Sequence, residues 1–285
     1  MYEAQPSQTA AMAAAARAAH LVVDQEPYIF RDTMAAPLLG DLAGQIIGYH
    51  QASGDHVVLS GTRAQVTARS RYTERRVAEL AREGLEQYVV LGAGLDTFAC
   101  RSELTGGLRV FEVDHPATQQ WKRELLAAAG IVPPDGLTFA PVDFESGDLT
   151  DGLDRAGFDR GRPALVSWLG VAMYLTLDAI TATFAAVSRF APGSELVMEY
   201  GLPPGLRDER GVAYAGFALP AAAERGEPWL SFFAPEELSA LLERHGFAVA
   251  EHVRQAECVD PALWERTDSL RPADLCRLVR AVVPT

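Results

Sequence analysis

A short apolar run, Tyr88 to Leu91, stops abruptly at Gly92-Ala93-Gly94. That pattern reads as a buried strand ending in a turn where the backbone must approach something closely. A second apolar strand, Leu108 to Val113, follows and ends in Asp114. A glycine turn after one strand and an acid after the next is how a doubly wound sheet holds a ribonucleoside. An ordinary strand-to-helix turn would look much the same at the glycines alone, so the acid carries the inference.

Two cofactor classes use this layout. A dinucleotide fold wants a third glycine, which lets the helix pack on the strand and leaves room for pyrophosphate. Thr97 stands at that position, and Asp96 inside the loop would face a pyrophosphate unfavourably. S-adenosylmethionine has no phosphate and carries a positive sulfonium, so an acid in the loop is tolerable. The pattern favours S-adenosylmethionine over NAD. Asp96 is equally suited to capping the helix that follows.

From residue 87 onwards strands and helices alternate. Strands are expected at 87–92, 108–114, 137–142, 163–168, 194–199 and 247–253, with a last one at 278–283. Helices are expected near 96–104, 116–129, 176–190 and 235–245; Pro116 suits a first helical turn and Gly246 a C-cap. Repeated β-α units imply an α/β fold with a mainly parallel, doubly wound, Rossmann-like sheet of about seven strands. Before it, residues 1–80 carry helix signals at Thr9–Val23, Pro37–Tyr49 and Val66–Glu83 and form an expected helical cap. Residues 81–285 then make the nucleoside-binding domain. Within it, 201–232 is rich in proline and glycine and long for a connector, as lids over binding sites often are.

Composition narrows the partners. The formal net charge is −13 over 285 residues. Such a surface repels phosphate backbones and anionic membranes, so the expected partner is a small molecule, with neither nucleic acid nor membrane. Cys100, Cys258 and Cys276 are scattered, and no signal peptide is evident, which fits a cytoplasmic protein. No Cys/His cluster has zinc spacing, so no metal is expected.

Taken together, these residues resemble the leucine carboxyl methyltransferase family, and within it the bacterial branch of polyketide O-methyltransferases. The strongest parts are Leu-Gly-Ala-Gly-Leu-Asp-Thr (91–97) with Arg101, and Val-Phe-Glu-Val-Asp-His-Pro (110–116) with Lys122. Weaker matches are Pro-Ser-Gln-Thr-Ala (6–10), Ala-Arg-Ser-Arg-Tyr (68–72), Pro-Val-Asp-Phe (141–144) and Val-Ala-Met-Tyr-Leu (171–175). The resemblance implies a class I S-adenosylmethionine-dependent methyltransferase. It implies that Arg69 grips the methionyl carboxylate and that Gly92, Ala93 and Gly94 lie beneath the methionyl and ribose part. Asp114 would accept both ribose hydroxyls, with His115 beside it. Asp143 would accept from the adenine amino group, with Phe144 against the ring. Many relatives carry Glu-Gly at the end of strand four; this chain has Leu169-Gly170, which puts an apolar side chain near the cofactor.

Tyr174 lies past strand four, where substrate sites gather in open sheets, and is the candidate for positioning the substrate; otherwise it is core. Trp229, Phe232 and Phe233 would line a pocket or seal a lid. Methyl transfer from a sulfonium needs alignment rather than a metal. A carboxylate acceptor needs no base, whereas a phenol profits from one. No His/Asp pair of that kind stands out. The expected function is therefore O-methylation of a carboxylate or hydroxyl on a small, polyketide-like molecule. A protein carboxyl methyltransferase, an NAD-linked oxidoreductase and a non-catalytic binder remain as alternatives.

Overall fold

The computed structural model describes residues 7–285. Of the Pro-Ser-Gln-Thr-Ala stretch, Pro6 lies outside the described residues. The elements in chain order are α1 (Gln8–Val23), α2 (Ala35–Leu39), α3 (Leu42–Ser53), α4 (Val57–Arg82), β1 (Gln87–Leu91), α5 (Phe98–Arg101), β2 (Arg109–Asp114), α6 (Pro116–Ala128) and β3 (Leu137–Pro141). There follow α7 (Leu149–Arg155), β4 (Leu165–Trp168), α8 (Leu177–Val187), β5 (Glu195–Gly201), α9 (Glu209–Glu224), α10 (Pro235–Arg244), β6 (Ala248–Arg254) and β7 (Cys276–Val282).

The strands form one sheet in the order β3-β2-β1-β4-β5-β7-β6. The first five are parallel, and β7 runs antiparallel between β5 and β6. The order in which the chain adds strands reverses between β1 and β4, which opens a crevice at their carboxyl ends. Every residue of β1, β4 and β5 is buried, as parallel strands covered on both faces require. One face buries Leu91, Phe111, Val166, Trp168 and Met198 with Ile180, Phe184 and Leu238 of α8 and α10. The other buries Tyr88, Val90, Val110 and Val197 against Ala64, Ala68, Tyr72 and Val77 of α4.

The first four helices precede the sheet in the chain. In α1 the alanines Ala14, Ala15, Ala16 and Ala19 have no exposed surface, so small side chains let the helix sit close to its neighbours on all sides. Its loop holds a buried ionic cluster. Asp24 accepts from Arg63 Nε and Nη2 at 2.8 and 3.0 Å and from His20 Nδ1 at 2.9 Å. Arg63 also donates to His50 Nδ1 at 3.1 Å and to the Gly54 carbonyl at 3.0 Å. Burial, then the facing Arg63 charge, pushes the His50 imidazole down to about 4.

Four departures from the sequence expectation have local causes. The Pro37–Tyr49 helix is two helices, broken at Gly40, whose φ of 54° ends α2. The helix expected from Val66 starts at Val57, where the His56 side chain caps it. The helix expected at 96–104 is one turn, because Ser102 starts a separate 3-10 turn. Segment 201–232 is no open connector: it contains α9, with Pro220 inside it. Tertiary packing outweighs the helix-breaking residues there. Tyr214 of α9 lies flat on Gly61 of α4, where a Cβ would come within 2.9 Å of the ring, and its hydroxyl is 2.8 Å from Thr62 Oγ1.

Candidate active site

The carboxyl rim of the sheet gathers most of the expected residues. β1 and β2 end level, with Leu91 opposite Val113. Gly92 and Ala93 then turn their N–H groups onto the Val113 carbonyl at 2.8 and 3.1 Å. Gly92 has a φ of 67°, and a Cβ there would meet Val171 at 2.2 Å. Any side chain at 92 would thus both strain the turn and push away the segment after β4. At Gly94 a Cβ would reach Ala10 of α1 at 2.9 Å, so the turn is roofed by the first helix.

Asp114 sits against this turn. Its Oδ2 accepts from Gly94 N–H at 2.5 Å and its Oδ1 from His115 N–H at 2.6 Å. Burial pushes its carboxyl above the usual range, and those two backbone donors oppose the shift. Each oxygen keeps a free lone pair, so the group can still accept from a ligand. His115 is the N-cap of α6, its Nδ1 accepting from Ala117 N–H at 3.2 Å. Asp96 accepts from Phe98 N–H at 2.8 Å, so it caps α5 from one residue before the helix boundary.

Asp143 and Phe144 follow β3. The segment is tied to the rim by Val142 N–H bonding the Asp114 carbonyl at 2.9 Å. Asp143 itself is turned into its own loop, accepting from Glu145 N–H at 3.0 Å and Ser146 Oγ at 2.8 Å. The Phe144 ring lies 6.2 Å from that of Trp168 at the tip of β4. Leu169 packs partly buried at the same tip. Beside it, Gly170 touches Arg69 of α4: a Cβ there would stand 2.7 Å from Arg69 Nη1. Arg69 also donates through Nη1 to Glu199 Oε2.

Tyr174 packs in an apolar cluster with Met173, Tyr214 and Trp229. It closes a 3-10 turn after β4 and faces Trp229 edge-on at 5.9 Å. Trp229 in turn lies 6.0 Å from Phe232. This aromatic strap is laced to the post-β4 segment: Leu230 and Ser231 N–H donate to the Met173 carbonyl at 2.6 and 3.2 Å, and Ser231 Oγ to the Leu175 carbonyl at 2.7 Å. Burial pushes the Tyr174 phenol up to about 12, so it holds its proton at neutral pH.

Three features of the rim were not anticipated. Glu199 is one; a charged residue amid the apolar run of β5 was its only sequence signal, since a buried acid implies a partner. The second is a cluster beneath the turn. Arg17 donates to Asp32 Oδ2 at 2.7 Å and to the Leu95 carbonyl at 2.6 Å, and Thr97 Oγ1 donates to the same Asp32 oxygen at 2.8 Å. Burial alone would raise the Asp32 pKa, yet Arg17 and Arg101 hold it below the usual carboxylate range. Thr97 therefore ties the glycine turn to the helical cap where a dinucleotide fold would have its third glycine. The third is a latch: Glu227 accepts from Ser7 Oγ at 2.7 Å and from Thr9 N–H at 3.1 Å.

Arranged this way, the rim offers a carboxylate acceptor on one side of a glycine turn and a guanidinium on the other, under a helical roof. Comparison with known proteins agrees in kind. The family model described as leucine carboxyl methyltransferase matches residues 10–188. The "Putative S-adenosyl-L-methionine-dependent methyltransferase YktD" of Bacillus subtilis (strain 168) is 35% identical over 223 residues, 75% of this chain and 71% of that protein. A protein of Mycobacterium marinum with the same description is 35% identical over 207 residues, covering 69% and 67% of the two chains. Among solved structures, a "putative methyltransferase" from Thermobifida fusca YX superposes with a TM-score of 0.63 over 99% of this chain and 96% of that one. At 22% identity the last likeness concerns the fold alone.

Proposed function

The chain belongs to the leucine carboxyl methyltransferase family, and from that premise we propose that it is an O-methyltransferase acting on a carboxylate or hydroxyl of a small, polyketide-like molecule. S-adenosylmethionine is the methyl donor. Bound, it supplies a methyl group on a sulfonium, whose departure as a neutral thioether needs no acid.

The rim residues fit such a ligand. Asp114, steadied by two backbone donors, has lone pairs free for a ribose diol. Bonds to a charged acceptor contribute roughly 1.5–3 kcal/mol each. Gly92 and Gly94 leave room for the backbone to approach closely. Arg69 offers a guanidinium, which binds carboxylates through parallel donors. Phe144 gives a flat face for the base, and Asp143 reaches its amino group once its loop bonds rearrange. Leu169 and Gly170 line the middle.

What the protein contributes to the reaction is alignment. Positioning of this kind is worth about 7–11 kcal/mol in well-oriented systems. The laced strap carrying Trp229, Leu230 and Ser231 is the observation that most supports a small acceptor: it covers the rim beside Tyr174, where a protein terminus would need an open groove. The same region favours a carboxylate over a phenol. Tyr174 keeps its proton, and His115 is spent as a helix cap, so neither serves as base.

Titration calorimetry with S-adenosylhomocysteine tests the donor site; absence of binding to the intact protein ends the proposal. Incubation with methyl-labelled donor and cell extract tests the acceptor. Label in the small-molecule fraction supports the reading, and label confined to protein replaces it with protein carboxyl methylation. Binding without any labelled product replaces it with a non-catalytic role.

A further inference from the structure

Glu199 has no role in the reading so far, yet it occupies the rim. It lies one residue beyond Met198, which pairs with Trp168 at the end of β4, so its carboxylate stands level with Leu169 and Gly170. The side chain is buried, 2% exposed. Its Oε1 accepts from Gln65 Nε2 at 2.9 Å and its Oε2 from Arg69 Nη1. A cavity of about 10 Å³ beside it, lined by Gln65, Gln255 and Cys276 among others, has room for a single water.

We propose that Arg69 and Glu199 together form a receptor for an α-amino-acid zwitterion, Arg69 taking the carboxylate of the donor's methionyl end and Glu199 its α-ammonium. The inference rests on the function proposed above and adds to that site a residue from the neighbouring strand.

Stability alone does not account for the couple. A buried ion pair rarely stabilises a fold more than apolar side chains of similar volume would. Its bonding is also incomplete. Among the described residues only Nη1 of the Arg69 guanidinium is bonded, and each Glu199 oxygen keeps a lone pair. The unspent groups lie where the ligand's charges must go. A Cβ on Gly170 would sit 2.7 and 2.8 Å from Nη1 and Nη2, so the bare glycine is what lets the guanidinium reach the rim. Gly170 has a φ of 71°, a conformation a side chain would also strain.

Charge order completes the argument. An α-amino acid carries its two charges on one carbon, at a separation close to that of a guanidinium and its carboxylate partner. Laid against Arg69–Glu199, it makes a square of alternating signs in a low-dielectric setting, where each neighbour attracts. Leu169 at the tip of β4 supplies no charge for the ammonium. Asp114 is engaged on the other side of the turn and Asp96 caps α5. Glu199 is the acid that already pairs with Arg69.

The test uses Glu199→Gln, which keeps size and can still accept from Arg69. Three ligands are titrated: S-adenosylhomocysteine, its deaminated analogue, and 5′-methylthioadenosine, which lacks the amino-acid end. The intact protein is expected to bind the deaminated analogue at least tenfold more weakly than S-adenosylhomocysteine. In Glu199→Gln, S-adenosylhomocysteine binding falls at least tenfold, the difference between it and the deaminated analogue disappears, and 5′-methylthioadenosine binds as before. Glu199→Asp, which keeps the charge, recovers part of the loss. Equal loss of all three ligands would mean that Glu199 only supports the fold, and unchanged or tighter S-adenosylhomocysteine binding would mean that it merely occupies Arg69; either overturns the inference. If the intact protein binds none of the three, the donor-site reading itself has failed.

Discussion

Two arginines on one helix behave differently. Arg63 is fully buried and four of its five N–H groups are bonded: two to Asp24, one to His50, one to the Gly54 carbonyl. Further along α4, Arg69 meets one acid through one nitrogen and rests against a bare glycine at the sheet rim. Both are ion-paired, and a tally of salt bridges would not separate them. The number of donors left over does. A closed set of bonds joins α1, α3 and α4, whereas an open set marks a place where a ligand can enter.

That contrast is best broken at its closed end first. Arg63→Gln is expected to cost about 3–5 kcal/mol, because Asp24 stays buried without its cation; urea unfolding measures it. Arg69→Gln also strands a buried acid, Glu199, so its stability cost is expected in the same range; what sets it apart is S-adenosylhomocysteine binding weakened at least tenfold, which Arg63→Gln leaves unchanged. Equal weakening of binding by the two substitutions would remove the distinction.

The closed cluster should also set an acid limit. His50 has a folded pKa of about 4, below its unfolded value. The unfolded chain therefore takes up a proton first, near pH 6.5, and the stability present above that pH is lost as pH falls towards 4. The loss amounts to at most about 3 kcal/mol. Going from pH 7.5 to 5, the urea midpoint is expected to shift further towards acid loss in the wild type than in His50→Gln, since Glu74 and Glu112, raised to about 7, titrate alike in both.

At the open end, Asp114→Asn is expected to weaken S-adenosylhomocysteine binding by about 1.5–3 kcal/mol, with little change in melting temperature; calorimetry and a thermal melt read the two separately. An unchanged affinity would show that the ribose is held elsewhere. The smallest effect belongs to Glu227→Ala. Removing one half-buried partner of Ser7 and Thr9 should lower stability by less than about 1 kcal/mol, yet speed release of S-adenosylhomocysteine in stopped flow.

Much of this was legible in the chain. The strands lie within a few residues of their expected places, because parallel strands buried on both faces are written as continuous apolar runs. Asp114 and the glycine turn were legible because two adjacent strands bring their tips together. What was missed depends on partners distant in sequence. Glu199 needs Gln65 and Arg69, Glu227 needs Ser7, and the role of Thr97 needs Asp32. The helix α9 was hidden for a related reason. Its Pro220 and glycines argue locally for loop, and only the surface of α4 makes them helical. Asp148 opens α7, a helix absent from the expected elements, its carboxylate accepting from Thr150 and Asp151 N–H.

The bond from Arg17 to the Leu95 carbonyl has a mechanical consequence. It rivets the middle of α1 to the glycine turn, so the helix cannot swing away as a rigid door without dragging the turn with it. On the proposed function, entry and exit of the donor are expected to proceed by unzipping of the first turn of α1, where Ser7 and Thr9 hold Glu227. In hydrogen exchange, the amides of the first turn of α1 should trade with solvent well before those around Arg17, and Glu227→Ala should widen that gap.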